Sequence, residues 1–358
     1  MGSWQWEVGG LQLAVGSWQL AVGSGKRKFI KLMSVNDKIK FAVMGLGHIG
    51  KRHAEVIRNN SDCELVALCD NRDKADLDIA GYPVPFFSSL DELLKANMGF
   101  EVLCIATPNG LHEANAIKGL RAGCHVVVEK PMAITSLGCE RIIRESLAQQ
   151  RRVFCVMQNR FSPLASWLKK MVSENALGNI YMVQINCYWN RDERYYTEKD
   201  WRGTMDLDGG VLFTQFSHFI DLLHWVFGGI ENISSRFANF THGALTAFDD
   251  SGIISFDLTN GGMGSLNFST AVWNRNLESS ITVIAERGTV KVGGQYMDEL
   301  LYCDIRDHLV PELGAEKKSG HCMLIKNVVE VLRGQATMAI LPEEGLRAVE
   351  MVERIYGR

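Results

Sequence analysis

The stretch Ile39-Lys-Phe-Ala-Val-Met-Gly-Leu-Gly-His-Ile-Gly50 constrains this chain more than any other. Ile39, Phe41, Ala42, Val43 and Met44 form the short apolar run of a buried parallel strand. The run breaks into Gly45, Gly47 and Gly50, and Lys51 to Arg58 then read as the first turns of a helix. A helix entered this way offers unpaired N–H groups and a positive dipole end to phosphate. Gly45 allows the tight turn, Gly47 lets the backbone approach a pyrophosphate, and Gly50 lets helix and strand pack closely. His48 and Ile49 sit inside the same turn and join the candidate cofactor contacts. A second apolar run, Glu64-Leu-Val-Ala-Leu-Cys69, ends at Asp70. That acid lies about 20 residues past the last glycine, where a carboxylate holds the ribose hydroxyls of a dinucleotide. Its charge would repel a 2′-phosphate and so favours NAD, while Arg72 keeps NADP open.

The pattern then alternates. Ser88-Ser-Leu-Asp-Glu has the spacing of a helix N-cap, and Glu101-Val-Leu-Cys-Ile-Ala106 is the next strand, ending in Thr107-Pro108-Asn109. His112 opens a helix that Gly123 stops, and His125-Val-Val-Val128 is a strand ending in Glu129-Lys130-Pro131. Thr135 to Gln149 reads as a helix and Val153 to Met157 as a further strand. Strands alternating with helices predict a doubly wound parallel sheet, and ligands in such sheets sit beyond the carboxyl ends of the strands. The glycine turn, Asp70, Thr107 to Asn109 and Glu129 to Pro131 all occupy such ends.

At 358 residues the chain predicts two domains, a dinucleotide-binding unit at 36–157 and an α+β substrate and oligomerisation unit at 158–358. Residues 1–32 repeat Gln-Leu-Ala-Val-Gly-Ser and read as a disordered or non-native tail ahead of a natural start at Met33. A net charge of −3 gives no reason to expect nucleic acid or an anionic membrane as partner. No apolar run is long enough to cross a bilayer. Nine cysteines without C-x-x-C pairs point to reduced thiols in a cytoplasm, and with the dispersed histidines they predict no metal.

Beyond Gln158, Ser162 and Pro163 start a helix, and Asn179 to Tyr188 alternates polar with apolar as a half-buried strand does. Phe248 to Phe256, Gly264 to Phe268 and Ser280 to Ala285 repeat that pattern, and Pro342 to Tyr356 has helical spacing. Asp208 to Trp225 reads as one helix capped by Asp208, with Thr214, His218 and Asp221 on one face. His224 lies off that stripe and reads as structural. A carboxylate three residues after His218 is placed to fix its tautomer and raise its basicity.

The combination resembles the Gfo/Idh/MocA family of oxidoreductases, most specifically in Glu129-Lys130-Pro131 closing a strand after Thr107-Pro108-Asn109 and His112. The resemblance implies an N-terminal Rossmann domain and a C-terminal domain with a large, open, mostly antiparallel sheet. It implies NAD as cofactor, held by the glycine turn, Asp70, Thr107, Asn109, His112, Glu129 and Lys130. It implies Lys130 as an active-site lysine near the nicotinamide and the substrate hydroxyl. The catalytic set is then Lys130, His218 and Asp221, with His218 as general base in oxidation. Thr214 stands where many members carry Asp, which leans toward the subgroup acting on nucleotide-linked sugars such as UDP-linked amino-sugar uronates, serving surface-polysaccharide synthesis. Gln158, Arg160, Arg191, Arg194, Trp201, Arg202 and Thr214 join Lys130 and His218 as candidate substrate contacts, the arginines to grip a diphosphate or sugar carboxylate. A free sugar or inositol dehydrogenase, and a sugar-sensing regulator without chemistry, are the alternatives. Apolar residues at Phe256, Leu258, Leu266 and Phe268 predict an uncovered sheet face and self-association into a dimer or tetramer.

Overall fold

The apolar runs of the first half line up side by side. The computed structural model describes residues 37–307 and 319–358. The proposed tail at 1–32 and the start at Met33 lie outside the described residues. Six strands form one sheet: β1 (Ile39–Met44), β2 (Cys63–Cys69), β3 (Phe86–Phe87), β4 (Val102–Ile105), β5 (His125–Val128) and β6 (Val153–Cys155). Their order is β3-β2-β1-β4-β5-β6, and every pairing is parallel. The crossovers contain α1 (His48–Arg58), α2 (Leu90–Lys95), α3 (His112–Arg121) and α4 (Ser136–Gln149). Ser89 and Thr135 cap α2 and α4 through their hydroxyls. Val102 to Ile105 are all buried, as a strand covered on both faces requires. The strand order reverses between β1 and β4, and a crevice opens there beyond the strand ends.

The second half starts with α5 (Pro163–Ser173), β7 (Ile180–Tyr188), α6 (Glu193–Tyr196), α7 (Val211–Thr214) and α8 (Ser217–Phe227). It continues with β8 (Ile230–Ala238), β9 (Ser251–Leu258), β10 (Met263–Ser269), β11 (Glu278–Ala285), β12 (Gly288–Gly293) and β13 (Glu299–Ile305). The last elements are α9 (Gly320–Leu332) and α10 (Pro342–Tyr356). The seven strands run β13-β12-β11-β7-β10-β9-β8, antiparallel except for the β7–β10 pair. Alternation along each strand divides the sheet into two faces. Val183, Ile185, Phe256, Leu258, Leu266 and Phe268 are buried, and Phe216 at the head of α8 packs 5.8 Å from Phe268. The four residues expected on an open face therefore belong to the core beneath α8. The open face is the opposite one. It carries Met182, Ile253, Met263, Ile284 and Tyr302, each at least 41% exposed; Met182 is the register partner of both Met263 and Ile284, while Ile253 and Tyr302 pair with Asn267 and Lys291 in other rows.

The single helix expected from Asp208 to Trp225 is two. Phe216 carries φ −113° and ψ 7°, which separates α7 from α8. Gly210 is the N-cap of α7, and its φ of +121° suits a residue without a Cβ. Asp208 instead accepts from Gly203 N at 2.9 Å and from the Thr214 hydroxyl. It braces the loop ahead of α7 rather than capping a helix. No helix among the described residues is long and apolar enough to cross a membrane.

Candidate active site

A cleft of about 1570 Å³ opens where the β1 and β4 ends face α7 and α8. That exceeds the ~300–1,000 Å³ of ordinary single-ligand pockets. One end is the glycine turn. Gly45 takes φ +84°, and a Cβ on Gly50 would stand 1.6 Å from the Gly45 carbonyl oxygen. Space is open beside Gly47, with nothing within 4 Å of where its Cβ would be. Gly45, Gly47, His48 and Ile49 line the cleft, while Gly50 lies behind them as the packing contact.

Asp70 ends β2 on the same wall. Its Oδ2 accepts from Leu46 N at 2.6 Å, and its carboxylate takes both Nε and Nη2 of Arg72 at 3.0 and 2.9 Å. Burial opposes ionisation, but these hydrogen bonds outweigh it and hold the carboxyl below its usual range. The residues present therefore fit a dinucleotide: a turn that a phosphate can approach, and an ionised acid for the ribose. Arg72 is neutralised by Asp70 and is not a free anion site. NAD is accordingly expected to bind more tightly than NADP, and Asp70→Asn to narrow the gap. Titration of both cofactors by tryptophan fluorescence checks this; tighter NADP binding by the unaltered protein would show that Arg72 prevails.

The middle of the cleft is formed by the ends of β4 and β5. Thr107, Asn109, His112, Glu129 and Lys130 all line it, yet several are committed elsewhere. His112 stands 2.9 Å from the Thr107 carbonyl and 2.7 Å from the Pro131 carbonyl, tying the two loops together. The Lys130-Pro131 bond is cis. Asn109 Nδ2 donates to the Asp208 carbonyl at 2.8 Å and to Thr214 Oγ1 at 2.6 Å. Gly110 N donates to the Leu207 carbonyl at 3.0 Å. The cofactor-side loop is thus joined directly to α7.

Glu129 is buried between two histidines that bring in distant elements. His53 of α1 stands 2.8 Å from Oε1, and His321 of α9 stands 3.5 Å from it. Burial disfavours the charge, but the two histidines hold the carboxyl well below its ordinary range. Their ligand atoms lie within 4.8 Å of one another, the spacing of a three-residue metal set. The 2.8 Å contact accounts for the His53–Glu129 pair as a hydrogen bond. His321 did not figure in the sequence reading. The signal was present: Ser319 followed by apolar residues at 324, 325, 328 and 329 marks a capped helix.

Lys130 and His218 meet on the α7–α8 side. The break at Phe216 leaves the Thr214 carbonyl facing inward, and Lys130 Nζ donates to it at 2.8 Å. Burial draws the ammonium pKa below its usual value. His218 lines the cleft and is itself 8% exposed. Burial, and then the charge of Lys130, push its pKa well below that of a free imidazole, so the ring is neutral at pH 7. Its Nε2 contacts Gln158 Nε2 at 2.8 Å, not Asp221.

Three expected site residues stand apart from the cleft. Asp221 pairs with Arg160 through Oδ1 at 2.6 Å and Oδ2 at 2.9 Å, which removes it as the partner of His218. Arg160 is held by Asp221 and Glu344, with Trp225 5.2 Å away, and is buried. A guanidinium held by two acids away from the cleft is not free to grip a substrate. Arg194 lies on α6 and bonds Asp192 in a separate, shallower hollow. Its charge is spent on its own loop. Gln158, Arg191, Trp201, Arg202 and Thr214 do line the cleft.

This geometry agrees with the comparisons. Residues 39–157 match the model of the oxidoreductase family with an NAD-binding Rossmann fold, and residues 166–291 match the GFO/IDH/MocA C-terminal domain. The WlbA dehydrogenase of Bordetella pertussis, solved with NADH and UDP-GlcNAcA, is 34% identical. The likeness covers 89% of this chain and 96% of that one at a TM-score of 0.80. The chain belongs to the Gfo/Idh/MocA family. WlbA of Chromobacterium violaceum, also solved with NADH and UDP-GlcNAcA, is 32% identical over 92% of this chain and 96% of that one, with a TM-score of 0.82. A curated family relative, the inositol 2-dehydrogenase/D-chiro-inositol 3-dehydrogenase of Halalkalibacterium halodurans, is 28% identical over 63% of each chain. This family member is an NAD-binding oxidoreductase of the sugar-dehydrogenase type.

Proposed function

We propose that the protein oxidises or reduces a ring carbon of an anionic, nucleotide-linked sugar. The observation that carries the reading is Arg191. It lines the cleft, and its hydrogen bonds go to neutral acceptors: Gln215 Oε1 at 3.0 Å, the Asn190 carbonyl at 2.6 Å and Asn276 Oδ1 at 3.3 Å. No carboxylate among the described residues pairs with it. Burial draws its pKa down, and the charge of Arg202 adds to the effect. A half-buried guanidinium without a counter-ion is costly unless a ligand supplies the anion. Arg202 stacks on the Tyr195 ring at 4.0 Å beside Arg191 at 5.0 Å, and its Nε is buried without a partner. Arg202 Nη1 is already taken by Glu198 at 2.9 Å and the Tyr195 carbonyl at 2.8 Å, so Arg191 is the planar donor left for a carboxylate or diphosphate, and Trp201 offers a face to a sugar or base. The WlbA relatives, solved with UDP-GlcNAcA, support the same substrate class. That class would place the reaction in surface-polysaccharide synthesis, and the nine free thiols suit a reducing cytoplasm.

Oxidation of a carbinol removes a hydride and a proton, and bound NAD supplies the hydride acceptor. The remaining work falls to the chain. Lys130 places a positive charge against the reacting oxygen, where alkoxide character develops. His218, neutral because it is buried beside Lys130, takes the hydroxyl proton and returns it in the reverse direction. Thr214 orients Lys130 through its carbonyl, while its hydroxyl is engaged by Asp208 and Asn109.

Calorimetry with UDP-N-acetylglucosamine, its uronate and free myo-inositol tests the substrate class. The uronate should bind most tightly, and Arg191→Ala should weaken it by about 2 kcal/mol or more, as loss of a charged hydrogen bond does. Binding of inositol alone, or indifference to Arg191→Ala, would overturn the proposal.

The uncovered sheet face supports self-association. Met182, Met263 and Ile284 form an apolar row, with Ile253 and Tyr302 exposed on the same face, that pairing two copies would remove from water. Light scattering at micromolar concentration should give a dimer or tetramer, and Ile253→Lys should lower the mass; a monomer in the unaltered protein would remove this expectation.

A further inference from the structure

With Asp221 held by Arg160, the orientation of His218 must come from elsewhere. Gln158 fills that place. It opens the 3₁₀ turn Gln158–Phe161 after β6, and its side chain lines the cleft beneath His218. Gln158 and His218 are each 8% exposed. The first turn of α9 locks the position of Gln158: a Cβ on Gly320 would stand 2.3 Å from the Gln158 carbonyl oxygen and 2.9 Å from its Cβ. Only a glycine lets α9 approach this closely, so Gln158 has little room to move its backbone.

The contact between the two side chains has a direction. Gln158 Nε2 lies 2.8 Å from His218 Nε2. An amide nitrogen donates and does not accept. With the amide nitrogen assigned to the side that faces the ring, His218 Nε2 accepts, and in the neutral ring the proton sits on Nδ1. Nδ1 is buried and has no hydrogen-bond partner. A sugar hydroxyl can meet this imidazole only at Nε2. We propose that Gln158 is a positioning residue that fixes the tautomer of His218, keeping the basic lone pair on Nε2 until a substrate hydroxyl takes the place of the amide. The Oε1 atom of Gln158 is buried without a partner as well, so among the described residues the contact with His218 is the one hydrogen bond its side chain makes. The assignment of His218 as base rests on the function proposed above; the tautomer does not.

The test separates the two. Gln158→Glu is nearly isosteric and replaces the donor by an acceptor. A carboxylate at this place draws a proton onto His218 Nε2 and leaves the lone pair, if any, on the buried Nδ1. Two-bond proton–nitrogen correlation spectra of histidine-labelled protein with NAD bound, assigned with His218→Asn, read the tautomer without any substrate. The unaltered protein should show the proton on Nδ1 alone, and Gln158→Glu should show it on Nε2. With a turned-over sugar, kcat of oxidation should fall by about 100-fold or more, the scale of general-base catalysis, with little change in KM. If Gln158→Glu does not fold, Gln158→Ala keeps the Cβ that packs on Gly320 and should give a mixture of tautomers. An Nε2–H ring in the unaltered protein, an unchanged tautomer in the variant, or a rise in KM with kcat intact would overturn the proposal. A tautomer change in a protein that oxidises no sugar would count against the proposed function and not against Gln158.

Discussion

Lys130→Ala is expected to abolish most turnover while leaving the affinity for NAD nearly unchanged. The ammonium donates to the Thr214 carbonyl at 2.8 Å, away from the glycine turn that would receive the phosphates. Its charge is not cancelled by a carboxylate in direct contact, so it is available to an oxygen that gains charge during the reaction. Removing such a group costs on the order of 10²–10³ in kcat. Burial has already drawn the lysine pKa downward, which makes it a readier proton donor than a surface lysine. Steady-state kinetics and NAD titration on the same preparation check the split. Lys130→Met, which keeps the apolar stem, serves as the control for lost packing. Parallel loss of turnover and NAD binding would show that Lys130 is chiefly a cofactor anchor.

Asp221→Asn and Arg160→Ala are expected to destabilise the fold and to leave KM for the sugar almost untouched. The two side chains are 1% and 3% exposed and share two hydrogen bonds, with Glu344 of α10 on the same guanidinium. Burial raises the Asp221 pKa in spite of Arg160, a sign that the pair is held at a cost. Removing Arg160 strands Asp221 in the interior, which costs roughly 3–5 kcal/mol, and Asp221→Asn costs less because Glu344 stays on the guanidinium. Urea unfolding of each variant reads this as a lowered midpoint. The double replacement Arg160→Met with Asp221→Leu should recover much of the loss, since neither buried charge is then left alone and the Glu344 carboxylate it frees is 30% exposed and still accepts from Leu341 N. A variant as stable as the unaltered protein with a raised KM would return Arg160 to the substrate.

The Rossmann half was legible because each buried strand is a continuous apolar run that ends in a residue with chemistry: Gly45, Asp70, Thr107, Lys130. Local pattern and site coincide there. The second half was legible as alternating strands, but the outer ones were not. β8 and β13 lie at the two edges of the sheet, and most of their side chains are at least partly exposed, so their alternation carries little apolar contrast. The open face was assigned to the wrong set of alternate residues, because period two shows that a strand has two faces and not which one a helix covers. The α7–α8 break was invisible because Phe216 is apolar and fits the helical spacing on either side. Asp221 illustrates a different limit. Its spacing from His218 is that of helical neighbours, yet an arginine from another element offers a full charge and two donors. Helical spacing lists candidates, and the longer-range charge decides among them. The helix that carries His321 can be read from its cap and spacing, but its pairing, with that of His53, to Glu129 cannot, because the three come from distant parts of the chain.

The rivets between Asn109 and Thr214, and between Gly110 and Leu207, carry a consequence for binding. Thr214 is also the residue that holds Lys130. A cofactor settling against the 107–109 loop therefore acts on the same few atoms that aim the lysine. NAD bound there is expected to change the affinity of the sugar site through Thr214 and Lys130. By reciprocity, a bound sugar then changes the affinity for NAD by the same factor.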